Sequence, residues 1–121
     1  MIILDTNILI ELFKGDQSIL QKLKSLNDTF AISSITAMEL YYGAFNKNEL
    51  KQLEKFISSF LLLDITSSIS KDATELIKEY AKSHTLNIPD SLIAATVISH
   101  NAMLFTLNVK DFRYIPQLKL L

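Results

Sequence analysis

The sequence predicts an α/β fold, a three-layer α/β/α sandwich with a short parallel sheet at its centre, and three observations predict it. Short apolar runs alternate with longer stretches whose apolar residues recur at helical spacing. The short runs are almost wholly apolar rather than alternating, as strands are when helices cover both faces of a parallel sheet. Only two Gly, two Pro and no Cys occur in 121 residues, so neither a disulfide scaffold nor a loop-rich all-β fold fits.

Taken in order, Met1 to Leu4 is a first strand that ends at Asp5. Asn7 is placed to cap a helix over residues 8–14, where Ile8, Leu9, Leu12 and Phe13 share one face and Gly15 ends the run. Residues 18–26 repeat the pattern, with Ile19, Leu20, Leu23 and Leu26 on the apolar side. Thr29 to Ser33 is a second strand, followed by helices over 34–45 and 48–60 and a third strand over 61–65. A long amphipathic helix over 67–83 turns Ile69, Ala73, Leu76, Ile77 and Tyr80 inward. Pro89 opens another helix to about His100, since proline suits a first helical turn. Ala102 to Thr106 is a fourth strand, and 119–121 adds a short edge strand. One domain over 1–121 is expected, since no segment has the composition of a linker.

Composition narrows the function. The absence of Cys removes thiolate metal and redox sites and suits a reducing cytoplasm. No apolar run approaches the roughly 18 residues of a membrane helix. No basic region precedes the apolar start, so a secretion signal is not expected and the protein should stay inside the cell. Apolar residues make up 49% and the mean hydropathy is +0.24, which predicts apolar surface covered by another chain. The net charge of −1 argues at first against a nucleic-acid partner. Setting four acids aside for a site leaves twelve Lys and Arg against nine Asp and Glu, a mildly basic surface around an acidic pit.

Those four acids are Asp5, Glu39, Asp90 and Asp111. In parallel α/β sheets the reactive site lies at the carboxyl ends of the strands. Asp5 follows the first strand and Asp111 the fourth, while Glu39 and Asp90 are expected in first turns of helices entering from the same end. Each acid has a plainer role beside it. Asp5 and Asn7 suit a helix cap, and Thr36 with Glu39 has capping-box spacing. Asp90 after a proline complements a helix dipole, and Asn108 and Asp111 are ordinary turn residues. Convergence is what separates the readings. Two carboxylates about 4 Å apart repel by roughly 4 kcal/mol at an effective dielectric near 20, so such a group takes up protons or binds hard cations. With only His84 and His100 as nitrogen ligands, the donors are oxygens, which favours Mg2+ or Mn2+ over zinc.

Four segments, Asp5-Thr6-Asn7, Thr36-Ala37-Met38-Glu39-Leu40, Pro89-Asp90 through Ala95, and Thr106-Leu107-Asn108-Val109-Lys110-Asp111-Phe112, in this order, resemble the PIN-domain ribonucleases, most closely the VapC-type toxins of toxin–antitoxin pairs. The resemblance runs from Asp5 to Phe112. It implies a parallel α/β/α sandwich, an endoribonuclease acting on RNA, and Mg2+ or Mn2+ as cofactor. It also implies a VapB-type antitoxin partner and a homodimer. By position it implies that Asp5, Glu39, Asp90 and Asp111 are the catalytic, metal-binding acids, with Thr6, Asn7, Thr106 and Asn108 supporting them. Position 108 is Asn where some PIN domains carry Asp. Lys110, Arg113 and, less so, Lys14 are candidates for RNA phosphates. Tyr41 and Tyr42 are candidates for base stacking but are expected chiefly in packing. His84 and His100 are expected to cover helix ends.

Three other readings meet obstacles. A phosphatase with Asp5 as nucleophile wants a second Asp two residues on, where Asn7 stands. A phospho-acceptor module wants paired acids at the first strand, which offers Asp5 alone. A protein-binding scaffold gives no reason for four mutually repelling acids.

Overall fold

The computed structural model describes residues 1–121 and contains five strands, all parallel. In chain order they are β1 (Ile2–Leu4), β2 (Phe30–Ser33), β3 (Leu61–Leu63), β4 (Met103–Phe105) and β5 (Lys119–Leu120). Helices α1 (Thr6–Phe13) and α2 (Gln17–Ser25) link β1 to β2. Helices α3 (Ser34–Tyr42) and α4 (Lys47–Ile57) link β2 to β3, and α5 (Ser67–His84) and α6 (Ile88–Ser99) link β3 to β4. The expected parallel sandwich is therefore present. No helix is long and apolar enough to cross a membrane.

Strand pleating divides the core. Ile2, Leu4, Ile32 and Phe105 join Ile8, Leu9, Leu40, Leu53 and Ile57 on one side of the sheet. Ile3, Ala31 and Leu104 point the other way, onto Ile93, Ala94, Val97 and Phe112. Ile69, Ala73 and Ala95 lock α5 onto α6. Central-strand residues therefore have no polar face, which is why the strand runs are apolar throughout. The edge strand β3 differs, with Leu61 and Leu62 about half exposed.

The strand order β3-β2-β1-β4-β5 fixes where a site can form. The chain steps outward from β1 to β3, then returns across the sheet to place β4 on the other side of β1. Connections after β1 and β4 leave in opposite directions, and the crevice between their carboxyl ends is the switch point where such sheets bind ligands. Register brings the two ends level, with Leu4 beside Phe105. Asp5 and Thr106 are therefore the first residues past the sheet on adjacent strands.

Several local expectations are corrected. Helix α1 starts at Thr6 with Asp5 as its cap, not at residue 8 under Asn7, because the Asp5 carboxylate accepts from the Thr6 N–H. The Thr36–Glu39 capping box does not form: Ser33 caps α3 by accepting from the Ile35 N–H. Glu39 consequently lies in the second turn of α3, not the first. Helix α3 ends at Tyr42 rather than 45, and α6 begins at Ile88 under an Asn87 cap, with Pro89 second in the helix. The turn after β4 contains a short 3-10 helix, Val109–Asp111. Gly15 follows α1 at φ +94°, a conformation that explains why the run stops there.

Candidate active site

Asp5 is buried at the switch point, and both its oxygens are held. Oδ1 accepts from the Thr6 N–H at 2.8 Å, and Oδ2 accepts from the Thr106 hydroxyl at 2.6 Å. The Asp5 N–H donates to the Phe105 carbonyl, so backbone and side chain alike tie β1 to β4. Thr106 Oγ1 in turn accepts from the Asn108 N–H at 3.0 Å, while Asn7 Oδ1 accepts from the Leu107 N–H at 3.2 Å. The loop after β4 is thus fastened to the start of α1. This is the work of Asn7, which the sequence pattern had suggested as a cap.

Glu39 is reached through hydroxyls. Thr6 Oγ1 donates to Glu39 Oε1 at 2.7 Å and lies 3.0 Å from Thr36 Oγ1. A hydroxyl has one proton, so with Thr6 donating to the carboxylate it is Thr36 that donates to Thr6. Thr36 is fully buried, and this chain Thr36–Thr6–Glu39 places the acid beside the start of α1. Asp90 stands third in α6, its N–H donating to Asn87 Oδ1 at 2.9 Å. Asp111 closes the 3-10 helix and is exposed.

The acids share one electrostatic field. Asp90 is pushed up to about 6, first by burial and then by the charges of Asp5, Asp111 and Glu39, against the hydrogen bond to Asn87. Burial also raises Asp5, outweighing its bonds from Thr106 and Thr6, and Asp111 adds to the rise. No lysine or arginine relieves this: the ion pairs of the chain are Met1 amino–Asp28, Lys14–Glu11 and Lys78–Glu75. The four carboxylates feel one another's charge, yet no three Asp, Glu or His side chains are drawn together tightly enough to hold a metal ion as they stand. The donors are nonetheless all oxygen, without protein cations between them and with two held above their ordinary pKa. That set fits a hard divalent cation, which takes carboxylate and water ligands.

The remaining candidates take the following places. Lys110 and Arg113 are exposed, one in the 3-10 helix and one just after it, and neither is in an ion pair. Lys14 lines a mostly apolar groove of about 330 Å³ with Ile10, Phe13, Leu40 and Leu53, which meets the acids at Glu39. Tyr41 packs on the core, as expected, whereas Tyr42 is 95% exposed. His84 ends α5 and His100 is the C-cap of α6, so both cover helix ends. Sequence reasoning missed the hydroxyl relay through Thr36, the Asn87 cap that fixes Asp90, and Tyr114, whose phenol is raised by burial and by Asp90 and Asp111. The Asn87-x-x-Asp90 spacing is a cap signal that was available in the sequence.

A parallel sandwich with four unpaired carboxylates at its switch point defines a class of acid-cluster α/β proteins. Within that class the chain belongs to the PIN domain family, which it matches over residues 2–118. It is 36% identical to Ribonuclease VapC2 of Rickettsia felis, over 95% of this chain and 92% of that protein. It is 32% identical to the tRNA(fMet)-specific endonuclease VapC of Salmonella typhimurium, over 97% and 93%. Among solved structures it resembles VapBC2 from Rickettsia felis bound to a DNA fragment from their promoter, with a TM-score of 0.86, 35% identity, and 100% and 98% of the two chains covered. A toxin–antitoxin complex from Klebsiella pneumoniae gives a TM-score of 0.83 at 35% identity, over 98% and 95%.

Proposed function

We propose that this chain is the toxin of a toxin–antitoxin pair, an endoribonuclease that hydrolyses RNA phosphodiesters with Mg2+ or Mn2+. One observation carries the reading: Asp90 is pushed up to about 6 by burial and then by the charges of Asp5, Asp111 and Glu39, with no protein cation paired to any of the four. The ribonuclease names of its full-length relatives and the toxin–antitoxin structures it resembles agree with that chemistry.

Asp5, Glu39, Asp90 and Asp111 would hold a divalent cation, which would supply the charge to acidify a water and steady the phosphate oxygens. The chain's own part is positioning. Thr106 and the Thr6 N–H fix both oxygens of Asp5, so this carboxylate presents one orientation to the crevice. Thr6, fed by Thr36, directs Glu39, and Asn87 fixes the turn that carries Asp90. Loss of the Asp90 proton above about pH 6 completes the anionic set. Lys110 and Arg113 hold flanking phosphates. Water attacks phosphorus in line, and the products carry 5′-phosphate and 3′-hydroxyl ends because the ribose 2′-OH takes no part.

A VapB-type antitoxin covers the shallow groove formed by Met38, Glu39 and Tyr42, where both Met38 and Tyr42 stand exposed. The remaining apolar surface serves a homodimer, and the pair acts in the cytoplasm. Purified protein given end-labelled RNA, with transfer RNA as the first substrate tried, should cut it with Mg2+ or Mn2+ and not with EDTA. Asp5→Asn should abolish the cut. Equal cleavage by wild type and Asp5→Asn, or cyclic phosphate ends, would sink the reading.

A further inference from the structure

Beside the acid crevice stands a cluster of rings that no step above employs. The His84 imidazole lies almost parallel to the Tyr114 phenol, with centroids 4.2 Å apart and planes 16° apart. Tyr80 meets both rings at steep angles, 71° to His84 and 56° to Tyr114, and so supports the pair from the side. His84 is exposed, whereas Tyr114 is half-buried and rests on the core that holds Ile93 and Phe112. The stack therefore has a rigid base and a free outer layer.

Local bonds hold that outer layer in place. His84 Nδ1 is 2.8 Å from the Ser83 hydroxyl, which restricts ring rotation. Thr85 then adopts φ 56°, a left-handed conformation unusual for a β-branched residue, and its hydroxyl donates to the His84 carbonyl. The helix end that carries the ring is thus closed sharply and leads through Asn87 directly to Asp90. Tyr114 follows Asp111 by one turn. Both halves of the stack are anchored to segments that carry a site acid, and the Tyr114 phenol feels the charges of Asp90 and Asp111. The Tyr114 hydroxyl is itself buried without a protein hydrogen-bond partner.

We propose that the His84–Tyr114 stack is a platform for one base of the RNA substrate, next to the phosphodiester that is cut. The inference rests on the ribonuclease reading for the identity of the ligand. A base on the free face of His84 extends the stack to three rings. Stacking is tolerant of sequence because every base presents a π-face, so the platform sets the position of the strand rather than its sequence. Arg113, exposed and adjacent to Tyr114 in the chain, is placed for the phosphate of the same nucleotide.

The test uses short single-stranded RNAs carrying 2-aminopurine at successive positions, whose fluorescence is quenched on stacking. In EDTA, the wild-type protein should quench one position. His84→Ala should lose that quenching and weaken binding about tenfold, the effect of one lost aromatic–base stack. In Mg2+ or Mn2+ the same variant should raise KM about tenfold with kcat within about twofold, since the acids are untouched. His84→Phe should restore both, which a merely structural role of the imidazole would not predict. Unchanged quenching and KM in His84→Ala would overturn the platform, as would an absence of quenching by the wild type. An arginine-bearing peptide that binds the stack while RNA does not would also overturn it. Cleavage by His84→Ala at saturating RNA leaves the nuclease reading intact in each case. Failure of the wild type to cleave any RNA removes that reading while quenching in EDTA is still measured.

Discussion

Replacing Asp90 by Asn takes one anion out of a field of four and should make the metal-free protein more stable while abolishing cleavage. Asp90 moves from 3.8 to about 6 in the folded chain, first through burial and then through Asp5, Asp111 and Glu39. Two units correspond to roughly 3 kcal/mol of preference for the neutral form, and because Asp90 is only half-buried, screening reduces this to about 1–2 kcal/mol. Asp90 also sits in the first turn of α6, where its charge gains about 0.5 kcal/mol from the helix dipole, so the electrostatic penalty still wins. The sign follows from proton binding: the folded chain holds the Asp90 proton more tightly than the unfolded one. Stability from this group is complete below about pH 4 and is lost as pH rises through about 6. Urea unfolding in EDTA should therefore show Asp90→Asn about 1 kcal/mol more stable than wild type at pH 7.5 and equal to it near pH 4. Added Mg2+ or Mn2+ should reverse the order, since a ligand at about 100 times its Kd adds about 2.7 kcal/mol to the protein that binds it. A variant less stable than wild type at pH 7.5 in EDTA, or a difference that does not change with pH, would refute the shared field.

Thr106→Val and Thr6→Val remove the hydroxyls that direct Asp5 and Glu39; each should lower kcat/KM by about 10–100-fold, as loss of supporting bonds at metal sites does, measured in steady-state cleavage. Thr106→Val should also cost about 1–3 kcal/mol in urea unfolding, because the Asn108 N–H loses its acceptor and the buried Asp5 a donor. Lys110→Ala and Arg113→Ala should each raise KM and flatten the dependence of log KM on log salt by about 0.7, the change expected for one lost phosphate contact on a single strand. An unaltered slope would remove that residue from the RNA path.

The correct parts of the sequence reading were those governed by local patterns. Apolar runs at Ile2–Leu4 and Met103–Phe105 have no polar positions because helices cover both faces of the sheet, and that requirement is written into composition. At two helix starts a side chain other than the expected one took the capping role. Asp5 displaced Asn7 as cap of α1 because it stands next to the free N–H at the end of β1, and Ser33 displaced Thr36 for the same reason at α3. Neither outcome is decided by residue type, since all four are good or acceptable caps.

By itself, the sequence determined the parallel sandwich and the places of Asp5, Asp90 and Asp111 at the ends of elements, because strand burial and helix periodicity are local properties of the chain. Tertiary structure decided which neighbours those acids have. Thr106 reaches Asp5 only because β4 returns to lie against β1, and Thr36 reaches Glu39 only through Thr6 on another helix. The stack of His84 on Tyr114 likewise joins the end of α5 to the segment after the 3-10 helix. Such contacts depend on the order of strands in space, and strand order is set by the packing of the whole core rather than by any one stretch of sequence.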